Sequence, residues 1–216
     1  FSGIWTMEAT LNDGIPFLLI HSKYMVPDTW TGTEHAGEGT FESPYIIDSE
    51  ISLLSFANAY NKLNSIIKAG IYWTISVETL DLSLLDAWVP VGYNSANAFT
   101  GHLLGNRANI INLTIDENYQ AVGLFGYVAN EASIEWLSVY GDIDYDYATY
   151  VGGVVGHLSN KASVSNCYFE GNITGYLNSV KTRHIGGIAG YSEHNLISTS
   201  YSVATHTVNK SANEVL

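Results

Sequence analysis

The sequence predicts an all-β fold, a chain wound as a parallel β-solenoid, and three observations carry that expectation. The segments VGLFGYV at 122–128, VGGVVGHL at 151–158 and IGGIAGYS at 185–192 are variants of one motif, with glycines set inside apolar runs. Aligned on Gly126, Gly156 and Gly190, they recur at spacings of 30 and 34 residues. The stretches between them are rich in Val, Ile, Tyr and Thr and mix apolar–polar alternation with short apolar runs, a strand pattern with no 3.6-residue period. A fixed period built from strands marks a stack in which each repeat buries its face against its neighbours.

The first two repeats match position by position beyond the motif. Ile134 and Val164, Leu137 and Cys167, Val139 and Phe169, Gly141 and Gly171, and Ile143 and Ile173 fall at equal offsets. The third repeat fits after one deletion, with ISTSYS at 197–202 beneath VSNCYF at 164–169. Each repeat is then one rung of three strands, and rungs pair in parallel about 4.8 Å apart. In such a coil Gly123 and Gly126, then Gly152, Gly153 and Gly156, then Gly186, Gly187 and Gly190 stack along the axis. Glycine at these places lets the chain bend and lets neighbouring backbones approach. A phosphate-cradling loop is excluded, because VGGVVG lacks the following Lys-Ser/Thr and occurs three times.

Three regions follow in order. Residues 1–38 read as an N-terminal extension and linker. WTMEATLNDGIPFLLI holds an Asn-Asp-Gly turn and an apolar tail, which fits a strand pair or an extended segment packing on a neighbour, and residues 22–44 are rich in Gly, Thr, Glu and Pro. Residues 39–71 read as a capping segment with a helix: Ile51, Leu54, Tyr60 and Leu63 lie near helical spacing, Asp48 or Ser49 can cap it, Glu50 suits its first turn, and Lys68 and Gly70 suit its end. A solenoid must cover its ends, since an open rung exposes core and unpaired strand edges. Residues 72–216 read as the solenoid, with repeats at about 122–151, 152–184 and 185–216. YWTISVETLDLS (72–83), AWVPVG (87–92) and FTGHLLGNRANIINLTI (99–115) are its earlier, less regular rungs, with Ile111, Leu113 and Ile115 forming one buried face.

Bulk properties narrow the function. The 216 residues are 46% apolar, enough for a sizeable core, and the aromatic content of 12% excludes a disordered chain. A net charge of −13 repels phosphate, which argues against nucleic acid and anionic lipid as partners. Cys167 is the single cysteine, so neither an internal disulfide nor a cysteine zinc site can form. No run of 18 apolar residues is present, so no membrane insertion is expected. The chain begins without Met or an export signal, and a piece of a longer protein is expected.

Candidate chemistry is sparse. Seven histidines (His21, His35, His102, His157, His184, His194 and His206) form no His-Glu-x-x-His motif, and His157 exchanges with Tyr127 and Tyr191 at equivalent positions, which favours a surface or stacking position over metal ligation. Asp142, Asp144 and Asp146 alternate in DIDYDY and share a strand face, a candidate calcium site of hard oxygens. No other cofactor is expected. The carboxylates Asp116, Glu117, Glu135, Asp142, Asp144 and Glu170 are the material for a glycosidic acid–base pair, yet they do not match in repeat offset, apart from Asp142 beside Asn172. Tyrosines crowd the repeats: Tyr140, Tyr145, Tyr147, Tyr150, Tyr168, Tyr176, Tyr191 and Tyr201. A narrow core cannot hold them all, and exposed rings stack on sugars or anchor a protein partner. Tyr145, Tyr147, Tyr168, Tyr191 and Tyr201 are the ligand-binding candidates.

These motifs resemble the GLUG repeat of large bacterial surface proteins. GLFGYV, GGVVGHLSNKASVSNCYFEGNITG and GGIAGYSEHNLISTSYS carry the likeness. GTFESPYIIDSEISLLSFANAYN (39–61), FTGHLLGNRANIINLTI and WTMEATLNDGIPFLL extend it over nearly the whole chain. Leu104 stands where the family commonly has Asp and Arg107 where it commonly has Gly, so the tight polar corner at 104–108 is not carried over. The resemblance implies a right-handed parallel β-helix in an exported protein at the bacterial cell surface. It implies a non-enzymatic adhesin or stalk that binds an extracellular polysaccharide or a host surface protein and continues into further repeats or modules. Some relatives set such repeats beside an immunoglobulin-cleaving protease, but no catalytic residue belongs to the repeat. The alternative is a carbohydrate-active β-helix, a polysaccharide lyase or glycoside hydrolase.

Overall fold

The computed structural model describes residues 4–6, 17–19, 35–62, 69–85, 87–115, 119–177 and 183–210. Strands β1 (Ile4–Thr6) and β2 (Phe17–Leu19) pair antiparallel, with Ile4 opposite Leu19. From β3 (Tyr45–Ile47) onward every described strand pair is parallel, in a solenoid of about 5 turns. Helix α1 (Glu50–Lys62) follows, then β4 (Tyr72–Ile75), β5 (Thr79–Asp81) and β6 (His102–Ile115). The next turns run through β7 (Ala121–Val122), β8 (Phe125–Val128), β9 (Ser133–Tyr145), β10 (Tyr150–Gly152), β11 (Val155–Leu158), β12 (Ser163–Ser165) and β13 (Tyr168–Leu177). The last holds β14 (His184–Gly186), β15 (Ala189–Ser192), β16 (Leu196–Ser198) and β17 (Tyr201–Lys210).

From β7 onward each turn crosses three sheets. The long sheet stacks β3, β4, β6, β9, β12 and β16, with β5, β13 and β17 joined to it; a second holds β7, β10 and β14; a third holds β8, β11 and β15. The register follows the sequence alignment: Ile134 pairs with Val164, Val139 with Phe169, Gly141 with Gly171, Ile143 with Ile173, and Val164 with Ile197. Inward ladders result. Trp73, Leu103, Ile134 and Val164 form one and Leu80, Ile110, Val139 and Phe169 another, all buried. In the last described rung Ile197 is 39% exposed, because only its lower side meets a described strand.

The corners are made by residues in the left-handed region. Asn106 and Arg107, Trp136, Asn166 and Thr199 turn the long sheet, while Asn130 and Glu131, Asn160 and Lys161, and His194 turn the chain out of the third sheet. Short amides suit these places because they bond locally at positive φ. The corner at 104–108 is tight and polar after all. Asn106 donates to Thr74 Oγ1 and to the Ile75 carbonyl, and the Arg107 guanidinium lies 5.0 Å over the Trp136 ring. Asn112, at φ 59°, inserts a bulge that shifts the register between Ile110 and Leu113. The buried set is therefore Ile110, Leu113 and Ile115, and Ile111 is left half-buried.

The helix lies inside the first turn rather than before it, since β3 already pairs with β4. Ser49 and Ser52 cap it reciprocally: Ser49 Oγ accepts from Ser52 N at 3.3 Å and Ser52 Oγ accepts from Ser49 N at 3.0 Å. Its buried face carries Leu53, Phe56 and Tyr60, and Phe56 packs edge-on against Trp73, Phe99 and Phe125, closing the coil's interior. Burial pushes the Tyr60 phenol up, partly offset by the bond from Trp73 Nε1. Asn61 ties the helix to the chain beside it, donating to the Pro90 carbonyl at 3.0 Å and accepting from Gly92 N at 2.7 Å. Leu63, Lys68, the Asn-Asp-Gly turn, Asp116, Glu117 and the Tyr176 side chain lie outside the described residues. Among the described residues no helix is long and apolar enough to cross a membrane.

Candidate functional site

The repeated glycines make the surface on which candidate binding groups stand. Gly152 and Gly186 pair in the second sheet, with Gly123 directly after the end of β7, and Gly126, Gly156 and Gly190 lie in register in the third. A Cβ on Gly126 would lie 2.6 Å from the Gly92 carbonyl oxygen, one on Gly156 2.6 Å from Val122 N, and one on Gly152 2.7 Å from Gly190 N. The two sheets therefore meet backbone to backbone, and a side chain on either would part them. Gly153 and Gly187 serve another end: a Cβ there would run into the Phe169 ring or the Ser202 side chain.

Beside this seam the side chains that flank the glycines form a ring cluster. Tyr127, His157 and Tyr191 stack in register along the third sheet, at centroid spacings of 5.2 and 5.1 Å. Tyr150 and His184 stack along the second, 5.6 Å apart. The rows touch where Tyr150 meets His157 at 4.6 Å and His184 meets Tyr191 at 5.0 Å. Burial holds the His157 imidazole below its usual pKa, and its Nδ1 is buried with no hydrogen-bond partner among the described residues. The Tyr191 hydroxyl donates to Glu193, which raises the phenol's pKa.

A second column stands on the long sheet. Tyr140, Tyr168 and Tyr201 follow one another at 5.6 and 4.7 Å, and Tyr201 is 65% exposed. The bond from Tyr168 to Glu170 pushes that phenol up to about 12. A third group, Phe41, Tyr72 and His102, lies lower on the same sheet, with Tyr72 and His102 stacked at 4.5 Å. His102 Nδ1 lies 3.0 Å from Ser133 Oγ, and desolvation lowers its pKa although Glu135 pulls the other way.

The candidates from the sequence divide accordingly. Tyr168, Tyr191 and Tyr201 lie in columns, and Tyr147 stands 58% exposed between β9 and β10. Tyr145 is a correction. It points inward at 3% exposure with the Arg183 guanidinium 5.4 Å over its ring, so it offers no face to a ligand. The calcium candidate is a second correction. Asp142 and Asp144 point outward on β9, where successive same-face positions are about 7 Å apart, and Asp146 lies beyond the strand end. Asp142 instead accepts from Asn172 at 2.8 Å, and no group of three or more potential metal ligands occurs among the described residues. Sequence reasoning passed over Tyr127, Tyr150, His157 and His184 as binding groups. The signal was the exchange of Tyr and His one residue after Gly126 and Gly156 and again two residues before Gly152 and Gly186. Cys167 is buried, its thiol pushed up to about 11 by desolvation, and is inert.

Two clefts open along the seam. One, of about 630 Å³, is lined by Gln120, Tyr127, Tyr150 and His157 on one side and by Ser95, Ala96 and Thr100 on the other. The next, of about 790 Å³, runs over the stacked corners at Asn130, Asn160 and His194, and the two share Asn130, Ser159 and Asn160.

Comparison with known proteins fits this geometry. Residues 147–174 match the GLUG motif, so the chain carries a GLUG repeat across its second glycine segment. A protein named as a Gly-rich membrane protein in Evansella cellulosilytica is 37% identical over 49% of this chain and 12% of its own length. Halomucin of Haloquadratum walsbyi is 31% identical over 80% of this chain and 2% of its own. The chain thus spans a small part of both relatives. A crystal structure named as an immunoglobulin A1 protease from Bacteroides ovatus shares the fold with a TM-score of 0.50, at 16% identity, over 80% of this chain and 64% of that one.

Proposed function

We propose that this GLUG-repeat β-solenoid is a non-enzymatic module of a cell-surface protein, an adhesin or stalk that attaches to an extracellular polysaccharide or a host surface protein. The observation that carries the reading is the pair of ring rows on the glycine seam, joined by the Tyr140, Tyr168 and Tyr201 column on the long sheet. Each turn adds about 4.8 Å and another set of rings, so weak contacts to a repeating ligand add along the axis. The relatives' names, a Gly-rich membrane protein and halomucin, support a surface location. The mixed placement of acids supports a binding role: Glu170 pairs in register with Tyr140 and Asp142 with Asn172, so neither faces a second carboxylate across the ladder.

The second reading is a carbohydrate-active enzyme. The grouping of His102, Ser133 and Glu135 beside a small apolar cleft is the observation in its favour. Both readings are tested together by incubating the purified chain with a panel of polysaccharides and host surface proteins, scoring binding and released products. Binding without release is expected. Release of oligosaccharides, abolished by His102→Ala, would replace the attachment reading with the enzymatic one.

A further inference from the structure

We infer that the cleft between Tyr150 and Thr100 is a subsite for a neutral sugar unit of a glycan chain. The inference rests on the attachment reading and names the ligand class. The cleft, at about 630 Å³, lies in the range that holds a small ligand. Its wall offers the Tyr150 ring, held by its edge contact with His157 at 4.6 Å, as an apolar face for the C–H side of a pyranose. Around that face stand the amides of Gln120, Asn130 and Asn160 and the hydroxyl of Ser159, groups that both donate and accept and so match a row of sugar hydroxyls. Burial favours the neutral His157 ring, which keeps one nitrogen as donor and the other as acceptor.

The charge pattern selects against acidic sugars. No described residue lining the cleft is charged. The adjoining cleft carries Glu131 and Glu193, with Lys161 already paired to Glu131 at 3.6 Å. A uronate chain running along the seam would meet these carboxylates within a chain of net charge −13. A neutral chain meets no such repulsion and can pass from one cleft to the next through the shared Asn130, Ser159 and Asn160.

The test is calorimetric titration of the full chain with uncharged gluco-, manno- and galacto-oligosaccharides and with oligogalacturonate, at low and high salt. Binding to at least one neutral series, with less than a twofold change across the salt range, is expected. Tyr150→Ala should weaken it about tenfold or more, as loss of a buried aromatic anchor does. Ala96→Trp blocks the cleft from an exposed position and keeps the claim testable if Tyr150→Ala unfolds. It should weaken binding comparably, while Leu84→Ala, at an exposed position outside both clefts and all ring rows, should change it less than twofold. Preference for the uronate with steep salt dependence overturns the inference. Neutral-sugar binding that survives both cleft variants and is lost in Tyr201→Ala overturns it too, yet leaves attachment standing. Binding to a host protein with no carbohydrate bound would also leave attachment standing without this subsite. No binding to any carbohydrate or protein sinks both.

Discussion

Gly156→Ala isolates the seam. Gly156 lies outside the left-handed region, so alanine adopts its backbone conformation without strain and the effect is one of space. The new Cβ would sit 2.6 Å from Val122 N, 2.9 Å from the Ala121 carbonyl carbon and 3.0 Å from Ala121 Cβ. Two of these obstacles are backbone atoms of a strand fixed by its own ladder, so relief requires moving one sheet from the other. Overpacking of this kind costs about 3 kcal/mol at the upper end of its usual range. Alanine returns about 1 kcal/mol by restricting the unfolded chain. The net loss is about 2 kcal/mol, which for a chain of this size lowers Tm by about 4–8 °C. Differential scanning calorimetry of the variant beside Lys161→Ala reads this directly. The control removes an exposed ion pair worth well under about 1 kcal/mol and should leave Tm near the parent's. A Gly156→Ala protein that melts with the parent, or above it, would refute the backbone-contact account of the motif.

Other outcomes follow from the corners, the helix and the buried histidine. Asn166 holds φ 54° at the bend of the long sheet, so Asn166→Ala should cost about 1 kcal/mol in denaturant titration, and Asn166→Gly only a few tenths. Asn61→Leu strips partners from Gly92 N and the Pro90 carbonyl and should cost about 3 kcal/mol, with the midpoint falling at an unchanged denaturant slope. His157 has its pKa lowered from 6.5 by burial, so between that value and the folded one the unfolded chain binds more protons. Its contribution to stability is therefore complete above about pH 6.5 and is lost as pH falls toward the folded pKa. His157→Gln should flatten that part of a Tm-against-pH curve, and an unchanged slope would show that the imidazole is not desolvated.

Much of the stack was legible because a parallel solenoid places equal repeat offsets directly above one another. Val164 over Ile134 and Phe169 over Val139 needed only the alignment. The exchange of Tyr127, His157 and Tyr191 at one offset marked a surface or stacking position, and the rings stack there. Other features escaped. The Asn112 bulge reversed the expected order of Ile110 and Ile111, since one extra residue switches faces and leaves the polar pattern intact. Tyr145 read as a surface ring because strand alternation alone does not tell which face is inward near a strand end. Arg183, 38 residues on, covers that ring from the next turn.

The residue order alone determined the winding of the chain, its period and which glycines share a column, because each depends on neighbours one rung away at a fixed offset. The tertiary structure decided what the glycines do and where the rings meet. The coil closes where the second and third sheets meet backbone to backbone at these glycines. The angle of that closure, absent from any single repeat, turns Tyr150 and His157 toward each other across the seam.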